Sequence, residues 1–180
     1  MIGLPTGSVE VRLYTTEWQR LFQEEWARLH AAIGAYVLDI RHIGSTSVPG
    51  LAAKPIIDIG IAVIDFEEAA RCVEPLVAIG YRYLGENGIP RRHFFIRGEP
   101  RTHNVHMNEI DSADWLQTTR FRDYLVRHPE AAAAYGDLKL RLARQFAADL
   151  AAYQAGKDAF IKQVLQAALA EELRAQLNRS

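Results

Sequence analysis

The sequence predicts an α/β (α+β) domain in which helices flank a β-sheet and a helical region follows. Helix and strand patterns alternate over residues 1–111, and the pattern is helical over residues 112–180. An almost wholly apolar run at residues 55–64 is typical of a strand that is covered on both faces. We expect one domain over residues 1–180, because this length suffices for a substantial core.

The first helix is predicted for residues 17–33 from apolar side chains at helical spacing. The members of this apolar stripe are Trp18, Leu21, Phe22, Trp26, Leu29 and Ile33. Thr16 and Gln19 have the spacing of an N-terminal capping box, and Gly34 is a typical residue to follow a helix.

Glycine and proline divide the remainder of the chain into short segments. The predicted strands cover residues 37–43, 55–64, 81–84, 93–97 and 104–107. The predicted helices cover residues 48–53, 65–79, 115–127, 130–153 and 157–176. Asp65 is placed to cap the helix that it begins, and Gly80 follows the end of that helix. Alanine-rich stretches at 131–134 and 147–152 favour helix over linker.

The composition is that of a soluble globular protein, with 49% hydrophobic and 24% charged residues. A formal net charge of -1 gives no overall field that would attract nucleic acid or an anionic membrane. The single cysteine, Cys72, cannot form an intramolecular disulfide or a cysteine-based zinc site, which fits a reducing compartment. Because residues 1–11 lack a signal-peptide pattern and no run suits a membrane span, we predict a cytoplasmic protein.

A turn rich in glycine, serine and threonine connects the first two predicted strands and has the character of a phosphate site. Gly44 allows a tight turn and close approach of a ligand, while hydroxyls and successive N–H groups suit an anion. The candidate phosphate-binding residues here are Gly44, Ser45, Thr46, Ser47 and Lys54. In the simpler alternative the hydroxyls only cap a helix, but capping needs one hydroxyl and the segment supplies three plus a lysine.

Asp58 is the candidate catalytic residue and metal ligand. It lies in an apolar strand, where an unpaired carboxylate is costly, so it needs a metal ion or a buried Arg or His partner. The order helix, strand, Gly-Ser turn, short helix, strand with Asp58 is that of nucleotidyltransferase folds, in which carboxylates hold Mg²⁺. Such strands usually have a second acid two residues later, and that residue here is Gly60.

Two further residues are candidate metal ligands. His106 lies between two apolar residues of the 104–107 strand, where a third acid would stand, and imidazole suits Mn²⁺ or Zn²⁺ better than Mg²⁺. Glu109 is a substitute acid. His103 and His106 are three residues apart on a strand and point to opposite faces, which argues against a two-histidine clamp. We therefore predict Asp58, His106 and Glu109 as ligands of a divalent metal, Mg²⁺ or Mn²⁺.

Basic residues elsewhere supply candidate partners for phosphate. Arginine is frequent around the middle strands, at Arg82, Arg91, Arg92, Arg97 and Arg101. One that faces the turn would clamp a triphosphate, and we predict Arg92. In the C-terminal helices Tyr135 and Tyr153 each precede a lysine, Lys139 and Lys157, by four residues. These pairs could line a pocket, but the pattern favours amphipathic helices whose lysines reach solvent.

The chain resembles the GrpB family, a group of mostly uncharacterised bacterial proteins assigned to the nucleotidyltransferase superfamily. The resemblance covers nearly the whole chain and rests on residues 42–51, 53–59, 105–106 and 121–125 and on the helices with the Tyr-Lys pairs. It implies a nucleotidyltransferase-like mixed sheet flanked by helices and a nucleotide-related chemistry, without a substrate common to the family.

We interpret the chain as a metal-dependent nucleotidyltransferase that binds a nucleoside triphosphate and transfers a nucleotidyl group to a small acceptor. One alternative is a catalytically retired nucleotide- or anion-binding module, which Gly60 favours. Another is a helical protein-interaction scaffold, suggested by the alanine-rich helices. The sequence leaves the base, the acceptor, the metal and the oligomeric state open.

Overall fold

The computed structural model of the protein describes residues 2–5 and 7–178. The five strands of its sheet are β1 (Asp39–Ile43), β2 (Ile57–Val63), β3 (Arg82–Tyr83), β4 (Arg92–Arg97) and β5 (His103–Glu109). The strand order is β1-β2-β5-β4-β3, with β2 and β5 parallel and the other neighbours antiparallel. The predicted mixed sheet is confirmed, and each predicted strand is present with shifted ends.

Helices flank the sheet as predicted. They are α1 (Glu17–Ile33), α2 (Phe66–Ala69), α3 (Val73–Ala78), α4 (Ala113–Arg127), α5 (Pro129–Gln145), α6 (Leu150–Ala155) and α7 (Asp158–Leu177). Asp65 caps α2 as expected, since its side chain accepts a hydrogen bond from the Glu68 N–H at 2.8 Å. The helix predicted for 65–79 is divided by a 3₁₀ turn at Ala70–Cys72, just before Pro75, which has no N–H for the helical ladder.

Two expectations about the first helix and the turn after β1 are wrong. Thr16 makes no side-chain cap because its own backbone is already helical, whereas a capping residue is extended. No helix forms at residues 48–53. The chain instead makes a 3₁₀ turn at Ser45–Ser47, and Pro49 and the left-handed Gly50 (φ 79°) keep the following residues irregular.

The helix predicted for residues 130–153 is also wrong, because it is two helices. α5 ends at Gln145, and α6 begins at Leu150 after a four-residue interruption. The side chain of Asp149 accepts a hydrogen bond from the Ala152 N–H at 2.9 Å and so caps α6. The alanine-rich composition favours helix on both sides of this cap, so propensity alone does not reveal the break.

The two faces of β2 have different surroundings. Ile57, Ile59 and Ile61 are fully buried in the main core with residues of α1, α3 and β5. The opposite face holds Asp58 and Gly60 and is covered by the C-terminal helices. A second core joins these helices to the chain after the turn, through Val48, Leu51, Leu125, Ala132, Tyr135 and Val164. Among the described residues, no helix combines the length and apolarity needed to cross a membrane.

Candidate functional site

Asp58 lies where β2 meets β1 and β5, with Ile43 opposite it on one side and Asn104 on the other. Its Oδ1 accepts a hydrogen bond from Asn104 Nδ2 at 2.8 Å, and His106 Nε2 faces the same oxygen at 3.6 Å. Burial raises the pKa of the Asp58 carboxyl, but the facing N–H of His106 and the Asn104 amide lower it further than burial raises it. The site therefore contains an ionised carboxylate at neutral pH.

The glycine of the turn is required by the position of Asp58. Gly44 has a φ of 66°, and a Cβ built on it would lie 2.6 Å from Asp58 Oδ2. The turn is tied internally, since the Ser47 hydroxyl donates to the Gly44 carbonyl at 2.6 Å and the Thr46 hydroxyl pairs with His42 Nε2 at 2.9 Å. The turn thus presents its backbone directly beside the carboxylate.

A cavity of about 200 Å³ opens in front of Asp58 and is lined mainly by polar and charged residues. The turn contributes Ser45 and Thr46 to it, and Ser47 lies on the other side of the turn. Its cations are Lys54, Arg101, Lys139 and Lys157. The whole chain has four lysines against seventeen arginines, so three of the four lysines meet at this one cavity. Asp58 is the one carboxylate among its described lining residues, which leaves the cavity strongly cationic.

Lys139 is the most unusual of these cations. Its side chain is 2% exposed, and its Nζ has no hydrogen-bond partner among the described residues. The ammonium position lies 4.5 Å from the centre of the Tyr135 ring. Burial, and then the charge of Lys157, lower the pKa of Lys139 well below its usual value, against a smaller opposing effect of Asp58. The expectation that this lysine reaches solvent is therefore wrong.

Lys54 and Lys157 flank a buried aromatic ring. Their Nζ atoms lie 4.9 and 4.8 Å from the centre of the Tyr153 ring, which is itself 1% exposed. Burial, followed by the charge of Lys54, lowers the pKa of Lys157 to about 8. Burial and then the charge of Arg101 lower the pKa of Lys54. Neighbouring cations thus lower the pKa of each lysine, namely Arg101 that of Lys54, Lys54 that of Lys157 and Lys157 that of Lys139.

Unpartnered polar atoms are concentrated at this cavity. Five buried side-chain nitrogen or oxygen atoms of the described residues lack a hydrogen-bond partner within the protein. Three of them belong to lining residues of the cavity, namely Lys139 Nζ, Arg101 Nε and Asn104 Oδ1. Buried polar atoms without partners are rare in folded proteins and usually mark a site for water, an ion or a ligand. This accumulation distinguishes the cavity from a larger one of about 370 Å³ beside Tyr36 and Leu38, which is more apolar.

The other predicted site residues lie outside the cavity. Arg92 is 5% exposed and donates to the Glu86 and Asn87 carbonyls and to His106 Nδ1, so it supports His106 and does not face a ligand. Glu109 lies on β5 opposite Val63 of β2, and Val63 is five residues further along β2 than Asp58. That register separates it from Asp58 by roughly 17 Å at about 3.3 Å per residue. Its carboxylate is bound by Arg91 and by the Phe66 N–H.

The donors around Asp58 do not suit a resident divalent cation. Arg92 can only donate, so the 3.3 Å contact makes His106 Nδ1 an acceptor and leaves the proton of the neutral ring on Nε2, which faces Asp58. A metal ligand needs a lone pair at that position. A Cβ at Gly60 would lie 3.1 Å from the Trp115 ring and from the Ile43 side chain, so a second acid would fit only if these neighbours shifted. No group of three His, Cys, Asp or Glu side chains suited to a metal occurs among residues 2–5 and 7–178.

Sequence reasoning identified one side of this site and missed the other. Gly44, Ser45, Thr46, Lys54 and Asp58 are brought together as predicted. Arg101, Lys139, Tyr153 and Lys157 complete the cavity. The sequence feature that could have revealed these residues is the repeated four-residue spacing of Tyr and Lys in a chain with few lysines.

Comparison with known proteins finds a matching family model and several similar proteins. A family model described as "GrpB protein" matches residues 8–167. UPF0157 protein YqkA of Bacillus subtilis is 43% identical over 88% of this chain, and the match spans 46% of that protein's length. UPF0157 protein PA4798 of Pseudomonas aeruginosa is 39% identical over 90% of this chain and 68% of its own length. This chain therefore spans about half to two thirds of these two relatives.

One solved structure of the family shows the same fold. The crystal structure of conserved protein GrpB from Enterococcus faecalis superposes with a TM-score of 0.85 at 38% identity, covering 91% of this chain and 99% of that chain. A structure of Cid1 in complex with its short product ApU is a weak match, with a TM-score of 0.48 at 16% identity over 74% of this chain and 43% of that chain.

Proposed function

This chain belongs to the GrpB family, and we propose that it binds a nucleoside triphosphate by its phosphate groups in the cavity in front of Asp58. The observation that supports this most is the buried, unpartnered amine of Lys139 beside Lys54, Lys157 and Arg101. A buried polar group without a partner destabilises the folded protein by about 1–3 kcal/mol, so such a group persists where a ligand uses it. Four clustered cations match an anion of several charges.

The size and lining of the cavity favour phosphate as the part that enters. About 200 Å³ is below the roughly 300–1,000 Å³ of most ligand pockets, so the cavity would hold the phosphate tail with the nucleoside projecting out of it. Lysines bind phosphate as point charges, and the backbone of the turn at Gly44 and Ser45 can add N–H groups. The nucleoside part of the proposal comes from the sequence, in which the order of elements predicts a nucleotide phosphate at the Gly-Ser turn and the family resemblance implies a nucleotide-related chemistry.

A second candidate function is transfer of the nucleotidyl group to a small acceptor. Asp58 favours it, because a carboxylate inside a cationic cavity weakens anion binding and needs another purpose. Asp58 would accept the proton of an acceptor hydroxyl as its oxygen attacks the α-phosphorus. Pyrophosphate would leave within the lysine cluster, which would stabilise its growing charge.

Calorimetry and thermal unfolding with ATP, GTP, CTP, UTP and tripolyphosphate test the proposed binding. A ligand at about 100 times its Kd adds about 2.7 kcal/mol of stability, or roughly 5–11 °C in Tm for a chain of this size. Lys157→Gln should lose most of this shift. Lys162→Gln is the matched control, because Lys162 is exposed on α7 and outside the cavity. A wild-type protein that responds to none of these compounds contradicts the proposal.

The transfer reaction needs its own assay. Release of pyrophosphate from labelled triphosphate in the presence of small hydroxyl acceptors should be lost in Asp58→Asn. Asparagine can still accept the hydrogen bond from Asn104, so binding of the triphosphate should persist in this variant. Turnover that continues in Asp58→Asn would remove Asp58 from the reaction.

A further inference from the structure

We propose that the cavity neutralises its phosphate ligand with Lys54, Lys139 and Lys157 and needs no divalent cation to do so. This inference rests on the proposed function and specifies the form of ligand that the site accepts, namely the metal-free polyphosphate. It departs from the divalent-metal site of Asp58, His106 and Glu109 that we predicted from the sequence.

The carboxylate that would hold a metal already has its own partners. Asn104 Nδ2 donates to Asp58 Oδ1 at 2.8 Å, and the protonated nitrogen of His106 faces that oxygen. Arg92 fixes this ring state from the other side, since it donates to His106 Nδ1. A divalent cation at Asp58 would have to displace a donor and would face the four cations of the cavity without a second carboxylate. These surroundings favour an anion in front of Asp58.

The position at which a second metal-binding acid would stand is also crowded. Position 60 lies on the same face of β2 as Asp58, but its glycine packs against the Trp115 ring and the Ile43 side chain. Trp115 is 5% exposed and belongs to the layer of C-terminal helices. The same helical layer, continuing through α5 to α7, supplies Lys139 and the junction residue Lys157. The helical region thus crowds the position of a second acid and contributes two cations to the cavity.

Lys139 is placed so that its positive charge becomes more favourable when an anion binds. The charged or titratable groups that share its surroundings are Lys54, Asp58, Arg101, Tyr135, Tyr153, Lys157 and Asp158. Its Nζ is buried and makes no hydrogen bond with them. Its pKa is lowered by burial and by Lys157, and a phosphate within reach would raise that pKa again. Ligand binding should therefore be accompanied by uptake of protons from solution.

Isothermal titration calorimetry with sodium tripolyphosphate and with ATP, each in EDTA and in excess Mg²⁺, tests the inference. We expect binding in EDTA and affinity at least about tenfold weaker in excess Mg²⁺, because Mg²⁺ removes phosphate charge that the lysines would otherwise meet. At pH 8 the heat should vary with the ionisation enthalpy of the buffer, which reports proton uptake. Lys139→Met should reduce that uptake by about one proton, whereas Lys162→Met should not.

The outcomes separate this inference from the proposed function. Binding that is absent in EDTA and appears with Mg²⁺ would overturn the metal-free site while the nucleotide-binding proposal stands. Absence of binding in both conditions would overturn both. If Lys139→Met does not fold, Lys157→Gln tests the same charge cluster, and unchanged metal-free affinity in that variant would also overturn the inference.

Discussion

Replacing Lys139 with methionine separates the energetic cost of this buried amine from its use in binding. Methionine has a similar length and no group that needs a hydrogen bond, and the site it would occupy is 2% exposed. A buried polar atom without a partner costs about 1–3 kcal/mol, and Lys139 Nζ is such an atom. The free protein should therefore become more stable by about that amount in Lys139→Met. For a chain of this size each kcal/mol corresponds to roughly 2–4 °C in Tm.

The assay is thermal and urea unfolding of both proteins at pH 8, in EDTA and without phosphate, followed by the same scans with tripolyphosphate. Lys139→Met should unfold at higher temperature than wild type when free and should lose most of the stabilisation by ligand. Lys162→Met is the control, and an exposed substitution of this kind should stay within about 0.5 kcal/mol. A variant that is less stable than wild type when free, or that keeps the full ligand shift, would contradict the role assigned to Lys139.

Three further predictions concern Gly44 in the turn, Gly60 on β2 and the pH dependence of stability. Gly44→Ala should be less stable than Gly50→Ala, because both residues have positive φ (66° and 79°) but only at Gly44 would the Cβ reach Asp58, at 2.6 Å; equal unfolding midpoints would contradict the clash. Gly60→Asp should lower Tm and confer no Mg²⁺-induced stabilisation, since its Cβ has contacts at 3.1 Å; a stable variant that binds Mg²⁺ would disprove this. Between pH 8 and 10 the free wild type should gain more stability than Lys157→Gln. Burial and then Lys54 lower the folded-state pKa of Lys157 to about 8, so the unfolded chain binds more protons in this range and stability rises with pH. Parallel stability curves for the two proteins would argue against that shift.

The half of the site that was predictable is local in sequence. Gly44, Ser45 and Asp58 lie within fifteen residues, and the mismatch between a carboxylate and an apolar strand is visible without any structure. The register of β1 and β2 then brings the turn against the carboxylate, as a short connection between paired strands must.

The other half depends on how distant elements pack. Lys139 on α5 and Lys157, which directly precedes α7, lie about eighty and a hundred residues after Asp58. Helical spacing does not say which stripe of a helix faces the sheet and which faces solvent. Arg92 and Arg101 could not be distinguished by composition either. Arg92 is buried on β4 by its bonds to the 86–87 turn, whereas Arg101 follows the strand and reaches the cavity.

The most direct test of the anion site is to label the lysines with an amine-reactive acetylating reagent, with and without ATP or tripolyphosphate, and to measure each site by mass spectrometry. Lys162 serves as an internal reference, because it is exposed and outside the cavity. We expect either ligand to protect Lys54 and Lys157 several-fold while Lys162 reacts at an unchanged rate. Ligand binding that leaves Lys54 and Lys157 as reactive as before would place the ligand elsewhere and contradict the account.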